Sequence, residues 1–249
     1  MLSGLLFHSI AAENKLTLSA VKPQHFRSML KLLQQHGYSA TTVSDAHAGQ
    51  TTDRSVLITF DDGCKSFLTQ ALPVLEELGF KATLFPVAGS IGQWSTWDVM
   101  PGFKHLTKDD IRAISGLGHE IGSHGMTHSD LTMLGSADLA AELRESKKIL
   151  EDITGRAVTA LSFPFGSWNQ RVWESAQEAG YSCGTLYRKH RAIAGLFPVF
   201  GVYRFDRAED VLARVAGKNS LSRLRAMMMS HFAKGAPLWK FSGRYVRTG

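Results

Sequence analysis

Short apolar runs alternate with longer amphipathic stretches along this chain, and the two periods predict strands and helices in turn. Leu5-Leu6-Phe7 reads as a first strand. Pro23 to Gln35 reads as a helix, with Phe26, Met29, Leu30 and Leu33 on one face and Gly37 just past its end. Val56 to Phe60 is a β-rich run, Phe67 to Leu78 is helical up to Gly79, and Ala82 to Val87 is again a strand. Thr107-Lys108-Asp109-Asp110 has the form of a capping box opening a helix through Ser115. Glu120 to Gly122 is a short strand, and Ala137 to Asp152 is the clearest helix, with Leu139, Leu143 and Leu150 along one side. Ala160 to Phe163 is a strand, Asn169 to Ala179 a helix, and Tyr181 to Leu186 an extended segment. Such βα alternation predicts a parallel sheet, closed as a barrel or doubly wound.

The polar clusters fall at the C-terminal ends of the predicted strands. Thr59-Phe60-Asp61-Asp62-Gly63 ends one, and Ser123-His124-Gly125-Met126-Thr127-His128 follows another. Active sites are built at those ends in both architectures. Adjacent carboxylates on a strand point in different directions because side chains alternate. One can then bind a metal while the other is held off it as a base. Two imidazoles and one carboxylate leave coordination positions open for water and substrate. A metal-bound water has its pKa lowered toward about 7, within reach of a nearby carboxylate. The plain alternative is a common Asp-Asp-Gly turn and a chance histidine pair.

Composition narrows the class. The 249 residues, 44% of them apolar, suit one large soluble domain. No stretch approaches ~18 uninterrupted apolar residues, so no transmembrane helix is expected. Met1 to Ile10 lacks a positive n-region, and His8 interrupts its apolar run, so no secretory signal is expected. The expected location is cytoplasmic, with Cys64 and Cys183 as free thiols. The net charge of +6 is uneven: no acidic residue follows Asp210, while Arg214, Lys218, Arg223, Arg225, Lys234, Lys240, Arg244 and Arg247 alternate with large apolar residues. That pattern suits peripheral contact with an anionic membrane surface. A last helix with a solvated basic face is the alternative. Nucleic acid is not expected as a partner, because no recognised binding motif occurs.

The motifs together resemble the polysaccharide deacetylase family with the NodB homology domain, carbohydrate esterase family 4. Thr59-Phe60-Asp61-Asp62-Gly63 and His124-x-x-x-His128 carry the resemblance. It continues through Glu142 to Lys148, Thr154-Gly155, Ser162-Phe163-Pro164-Phe165-Gly166 and Glu178-Ala179-Gly180-Tyr181. It implies a distorted (β/α)7 barrel in a single domain over residues 1–206, with 207–249 as a basic, apolar-interleaved extension. It implies one divalent metal ion, zinc or another transition metal, held by Asp62, His124 and His128. It also implies Asp61 as general base and the backbone N–H of Phe165, after Pro164, facing the oxyanion.

Two departures from the family pattern follow. The third motif usually begins with an arginine that orients the base, and Ser162 stands there. The usual C-terminal leucine-x-histidine is also missing, where the chain reads Gly201-Val202-Tyr203-Arg204-Phe205. Leu5 to Ile10 and the helix ending at His36-Gly37-Tyr38 are similar to a permuted branch, in which an N-terminal strand supplies the histidine. His8 is therefore the candidate general acid, with a satisfied core histidine as the alternative. Arg204 is a candidate partner for Asp61. Trp97 and Trp168 are candidates for stacking on a sugar ring, although tryptophans often simply pack.

The expected function is metal-dependent removal of N-acetyl groups from a GlcNAc-type glycan, lipid-linked saccharide or glycoside. A lipid carrier at the inner membrane face would fit the basic tail. Hydrolysis of a non-sugar linear amide and a non-catalytic carbohydrate-binding role are the two rivals.

Overall fold

The computed structural model describes residues 2–11, 19–96, 102–187 and 193–217. Trp97, His190 and the basic tail from 218 onward lie outside the described residues. Ten strands are described: β1 (Ser3–Phe7), β2 (Ser9–Ile10), β3 (Ala20–Val21), β4 (Ser39–Thr41), β5 (Ser55–Asp62), β6 (Thr83–Pro86), β7 (Glu120–Ile121), β8 (Ala160–Ser162), β9 (Cys183–Tyr187) and β10 (Leu196–Gly201). The α-helices are α1 (Pro23–Gln35), α2 (Val43–His47), α3 (Leu72–Leu78), α4 (Lys108–Gly116), α5 (Ser136–Thr154), α6 (Gln170–Glu178) and α7 (Ala208–Val215).

Every pairing in the main sheet is parallel, in the order β7-β6-β5-β1-β10-β9-β8. Ser123, just past β7, closes the ring: its N–H donates to Ala160 O at 2.9 Å, and Ser162 N–H donates to Ser123 O at 2.9 Å. The result is a seven-stranded barrel with helices outside. It is distorted at β5, one edge of which is taken by β1. The other edge is divided, Ser55 to Leu57 pairing with β4 and Thr59 to Asp62 with β6.

Strand alternation sorts the core into two layers. Leu5, Phe7, Ile58 and Phe60 face outward, in one apolar cluster with Phe26, Met29, Leu30 and Leu33 of α1 and Leu75 and Leu78 of α3. Phe7 and Phe60 stack at 5.3 Å, and Phe26 meets Phe7 edge-on at 5.1 Å. Leu57, Phe85, Ala160 and Cys183 form a smaller cluster inside the barrel. Apolar residues therefore fill the lower interior, and Asp61 continues the same inward row at the top.

Pro198 sits in a central strand, where a missing N–H normally breaks a ladder. The pairing tolerates it because β1 joins β10 only from Val199 onward. The expected single helix from Phe67 to Leu78 resolves into a π-helical turn, Phe67–Ala71, followed by α3. Pro73 lacks the N–H that a continuous α-helix would need there. Packing continues past residue 206: Val211 and Arg214 of α7 are wholly buried, and α7 contacts α1 and β1.

Candidate active site

Asp61 and Asp62 end the fully buried strand β5. Simple alternation sends their carboxylates to opposite faces, and the structure departs from that expectation. Asp62 has φ 68°, a left-handed conformation that turns its carboxylate back toward the barrel axis. Both carboxylates consequently reach one imidazole, with His124 Nε2 lying 3.9 Å from Asp61 Oδ2 and 3.6 Å from Asp62 Oδ1. His128 Nε2 lies 3.4 Å from Asp62 Oδ1. His128 and Phe165 are also left-handed, at φ 60° and 59°. Among the described residues these are the only non-glycine positions with positive φ, and all three stand at this site. Strain of this kind, about 1–3 kcal/mol per residue, persists only where the surroundings enforce it.

The histidine loop is held from beneath. Glu142 of α5 is buried, and its Oε1 accepts from Met126 N at 2.8 Å and Thr127 N at 2.6 Å. His124 Nδ1 donates to Ser162 O at 2.9 Å, which leaves Nε2 directed at the carboxylates. His105 fixes the other side, its Nδ1 donating to the carbonyl of Asp62 at 2.8 Å.

Donor atoms of Asp62, His124 and His128 all lie within 4.8 Å of one another. Metal bonds of ~2.0–2.1 Å at tetrahedral angles set donors roughly 3.3 Å apart. The measured 3.4 and 3.6 Å are near that spacing and too long for direct hydrogen bonds. Charge states agree. Burial alone would raise the Asp62 carboxyl, but the adjoining His128 imidazole, with His8 and His124 nearby, holds it well below the usual carboxylate range. Burial, and then the neighbouring His128, push His124 down to about 3, so its ring is neutral. An ionised carboxylate and a neutral imidazole are the ligand forms a divalent cation takes. These residues fit a single metal ion.

Asp61 differs from its neighbour. Burial and the Asp62 charge push its carboxyl well above the usual value, opposed by a hydrogen bond from Ser162 Oγ to Asp61 Oδ2 at 3.0 Å. Its Oδ1 is buried and has no hydrogen-bond partner among the described residues. Ser162, standing where the family pattern has arginine, thus contacts Asp61 itself. His8 follows Phe7, which pairs with Phe60, so it lies level with Asp61 at the barrel's top. It is half-buried and lies within electrostatic reach of both Asp62 and His124.

The remaining residues singled out in the sequence are spread around this centre. Phe165 follows buried Pro164 and sets its ring against His128, with centroids 4.7 Å apart. Arg204 is half-buried in the turn after β10. Trp168 is half-buried and packs beside Phe163 at 6.4 Å. Sequence reasoning gave no role to Glu142, His105, Tyr187 or Tyr203. Glu142 carries a legible signal, since it shares the apolar stripe of α5 with Leu139 and Leu143.

A parallel barrel with a carboxylate–imidazole triad at the C-terminal ends of its strands defines the class as an α/β barrel with one candidate metal position. The chain belongs to the polysaccharide deacetylase family, whose model matches residues 48–184. It is 32% identical over 185 residues to YxkH of Bacillus subtilis (strain 168), provisionally named a polysaccharide deacetylase, covering 72% of this chain and 62% of that protein. It is 29% identical over 129 residues to a chitooligosaccharide deacetylase of Rhizobium leguminosarum bv. trifolii, covering 51% of this chain and 54% of that one. The chain thus spans less than two thirds of the length of these relatives. The fold is similar to that of the Streptococcus pyogenes deacetylase PplD, with a TM-score of 0.75 at 20% identity over 86% of this chain and 97% of that one.

Proposed function

We propose that this chain is a metal-dependent carbohydrate N-deacetylase that hydrolyses the N-acetyl amide of a GlcNAc-type saccharide. The observation that carries this reading is the convergence of two unlike carboxylates on one imidazole. One is held ionised among the histidines, and the other has an unpartnered buried oxygen. Asp62, His124 and His128 would hold the metal, zinc or another transition ion, which when bound supplies Lewis acidity and lowers the pKa of water. Asp61 takes the proton of the attacking water through Oδ1, with Ser162 holding Oδ2. The Phe165 N–H, after Pro164, faces the oxyanion that forms on the acetyl carbonyl. His8 delivers a proton to the leaving nitrogen as the C–N bond breaks, giving acetate and the free amine.

Two observations support His8 as the acid, and with it the permuted branch. Strand β1 lies between β5 and β10, and the described residues around 201–205 include no histidine. Arg204 is the candidate second partner of Asp61. Trp168, and Trp97 outside the described residues, are candidates for the sugar face. The catalytic unit is proposed as residues 1–206 with α7 as its outer brace. Contact of the tail with an anionic membrane or lipid carrier rests on sequence composition alone. Among the described residues no helix is long and apolar enough to cross a membrane.

The test is acetate release across GlcNAc oligomers, N-acetylated glycosides and non-sugar N-acetyl amides. Release from the saccharides, abolished by chelation and restored by a divalent ion, is expected. Turnover confined to non-sugar amides would replace the substrate class.

A further inference from the structure

Tyr187 is the last residue of β9 and continues the inward row of Cys183 and Thr185. Ser162 pairs with Thr185, so Tyr187 stands above Ser162, level with the turn Pro164–Gly166. A Cβ built on Gly166 would overlap the Tyr187 ring, so the ring lies directly against that backbone. The turn carries two consecutive left-handed residues, Phe165 at φ 59° and Gly166 at φ 62°. The first is strained for a non-glycine residue, and some outside group must hold it.

Behind Tyr187 stands a continuous support. The Tyr203 phenol lies within interaction range of the Tyr187 phenol. Tyr203 is buried, and its backbone N–H donates to Asp206 Oδ2 at 2.8 Å. Asp206 is gripped by both terminal nitrogens of Arg214, which is wholly buried in α7. Arg214 Nη1 also approaches Gly201 O at 3.4 Å. Desolvation offsets much of the attraction in a buried ion pair, so its presence here does not by itself imply added stability.

We propose that Tyr187 is a positioning residue: its ring, backed by Tyr203, Asp206 and Arg214, clamps the Pro164–Gly166 turn and so aims the Phe165 amide. The functional part of this proposal rests on the oxyanion role assigned to that amide above. The clamp itself can be read without catalysis.

The experiment combines hydrogen–deuterium exchange of the amides of Phe163 and of Phe165 to Ser167, in metal-free protein, with steady-state kinetics on an N-acetylated GlcNAc oligomer. The proteins compared are wild type, Tyr187→Phe and Tyr187→Ala, with Tyr187→Leu in place of the alanine variant should that fail to fold. Tyr187→Ala is expected to raise exchange in this segment at least tenfold. It should lower kcat on the order of 10²-fold, as a misaimed group does, with KM within about threefold and metal content unchanged. Tyr187→Phe keeps the ring and should restore most of both signals. Asp206→Asn should raise exchange in the same segment. Unchanged exchange in Tyr187→Ala overturns the clamp, whatever the activity. A loss of activity in Tyr187→Phe equal to that in Tyr187→Ala also overturns it, because the hydroxyl, and not the ring against the turn, would then carry the effect. Should the wild type release no acetate from any saccharide, the functional assignment fails while the exchange data still decide the clamp.

Discussion

Replacing Glu142 with alanine tests how the ligand loop is held. The carboxylate is 7% exposed and accepts from the backbone of Met126 and Thr127, and from the Thr127 hydroxyl at 3.1 Å to each oxygen. Those residues lie between His124 and His128. Charge-assisted hydrogen bonds contribute roughly 1.5–3 kcal/mol each, which gives about 3–6 kcal/mol for the two backbone bonds as a ceiling. Thr127 is exposed, so water replaces part of what is lost, and about 2–3 kcal/mol is the expected destabilisation. At ~2–4 °C per kcal/mol for a chain of this size, Tm should fall by roughly 5–10 °C. Metal affinity should fall about 10–100-fold, as it does when the support of a ligating histidine is removed. Glu142→Gln keeps the acceptor without the charge and should fall between. Thermal melts of the metal-free protein and chelator-competition titrations read the two effects separately. A Glu142→Ala protein with wild-type Tm and wild-type metal Kd would refute the reasoning.

Three further outcomes are expected. Ser162→Ala removes the bond that lowers the Asp61 pKa, so the acidic limb of the kcat/KM profile should move to higher pH, and an unmoved limb would count against Asp61 as base. His119 is depressed, by burial first and then by the Lys81 charge, while its Nδ1 accepts from Ala82 N at 3.1 Å. Its contribution to stability is thus complete above the unfolded value of about 6.5 and is lost as pH falls below it; His119→Asn should show a shallower decline of Tm between pH 7 and 5, and parallel slopes would contradict this. Gly122→Ala sets a methyl against the Phe85 ring and Ala160 O, which should cost about 1–3 kcal/mol by overpacking and loosen the seam at Ser123; an unchanged Tm would show that the seam has slack.

The helices were the most legible part of the fold. Pro23–Gln35 was read to the residue, because a proline start, an apolar stripe and a glycine after the end all agree. The capping box at Thr107 likewise announced α4. Strands β2, β3, β4 and β10 and helices α2 and α7 escaped notice. Strands β2, β3 and β4 and helix α2 are too short to show a period, and Pro198 makes β10 read as a break. In α7 a buried arginine interrupts the apolar face, and only the distant Asp206 explains it. At the site, the metal-ligand pattern could be read from spacing because its residue types are uncommon together. The direction of Asp62 could not be, since alternation is a rule of ordinary φ and this residue departs from it. Tyr187 was invisible for another reason: its partner is a glycine turn more than twenty residues away, and no spacing encodes that contact.

The most direct test of the central claim measures metal content and acetate release on the same preparations of wild type, Asp61→Asn and His124→Ala. The account predicts a bound ion in wild type and Asp61→Asn but not in His124→Ala, and acetate from a GlcNAc oligomer at full rate with wild type alone. Asp61→Asn should retain no more than about 10⁻²–10⁻⁴ of the rate, as expected for a lost general base. Acetate release by metal-free His124→Ala at the wild-type rate, or an Asp61→Asn protein as active as wild type, would contradict it.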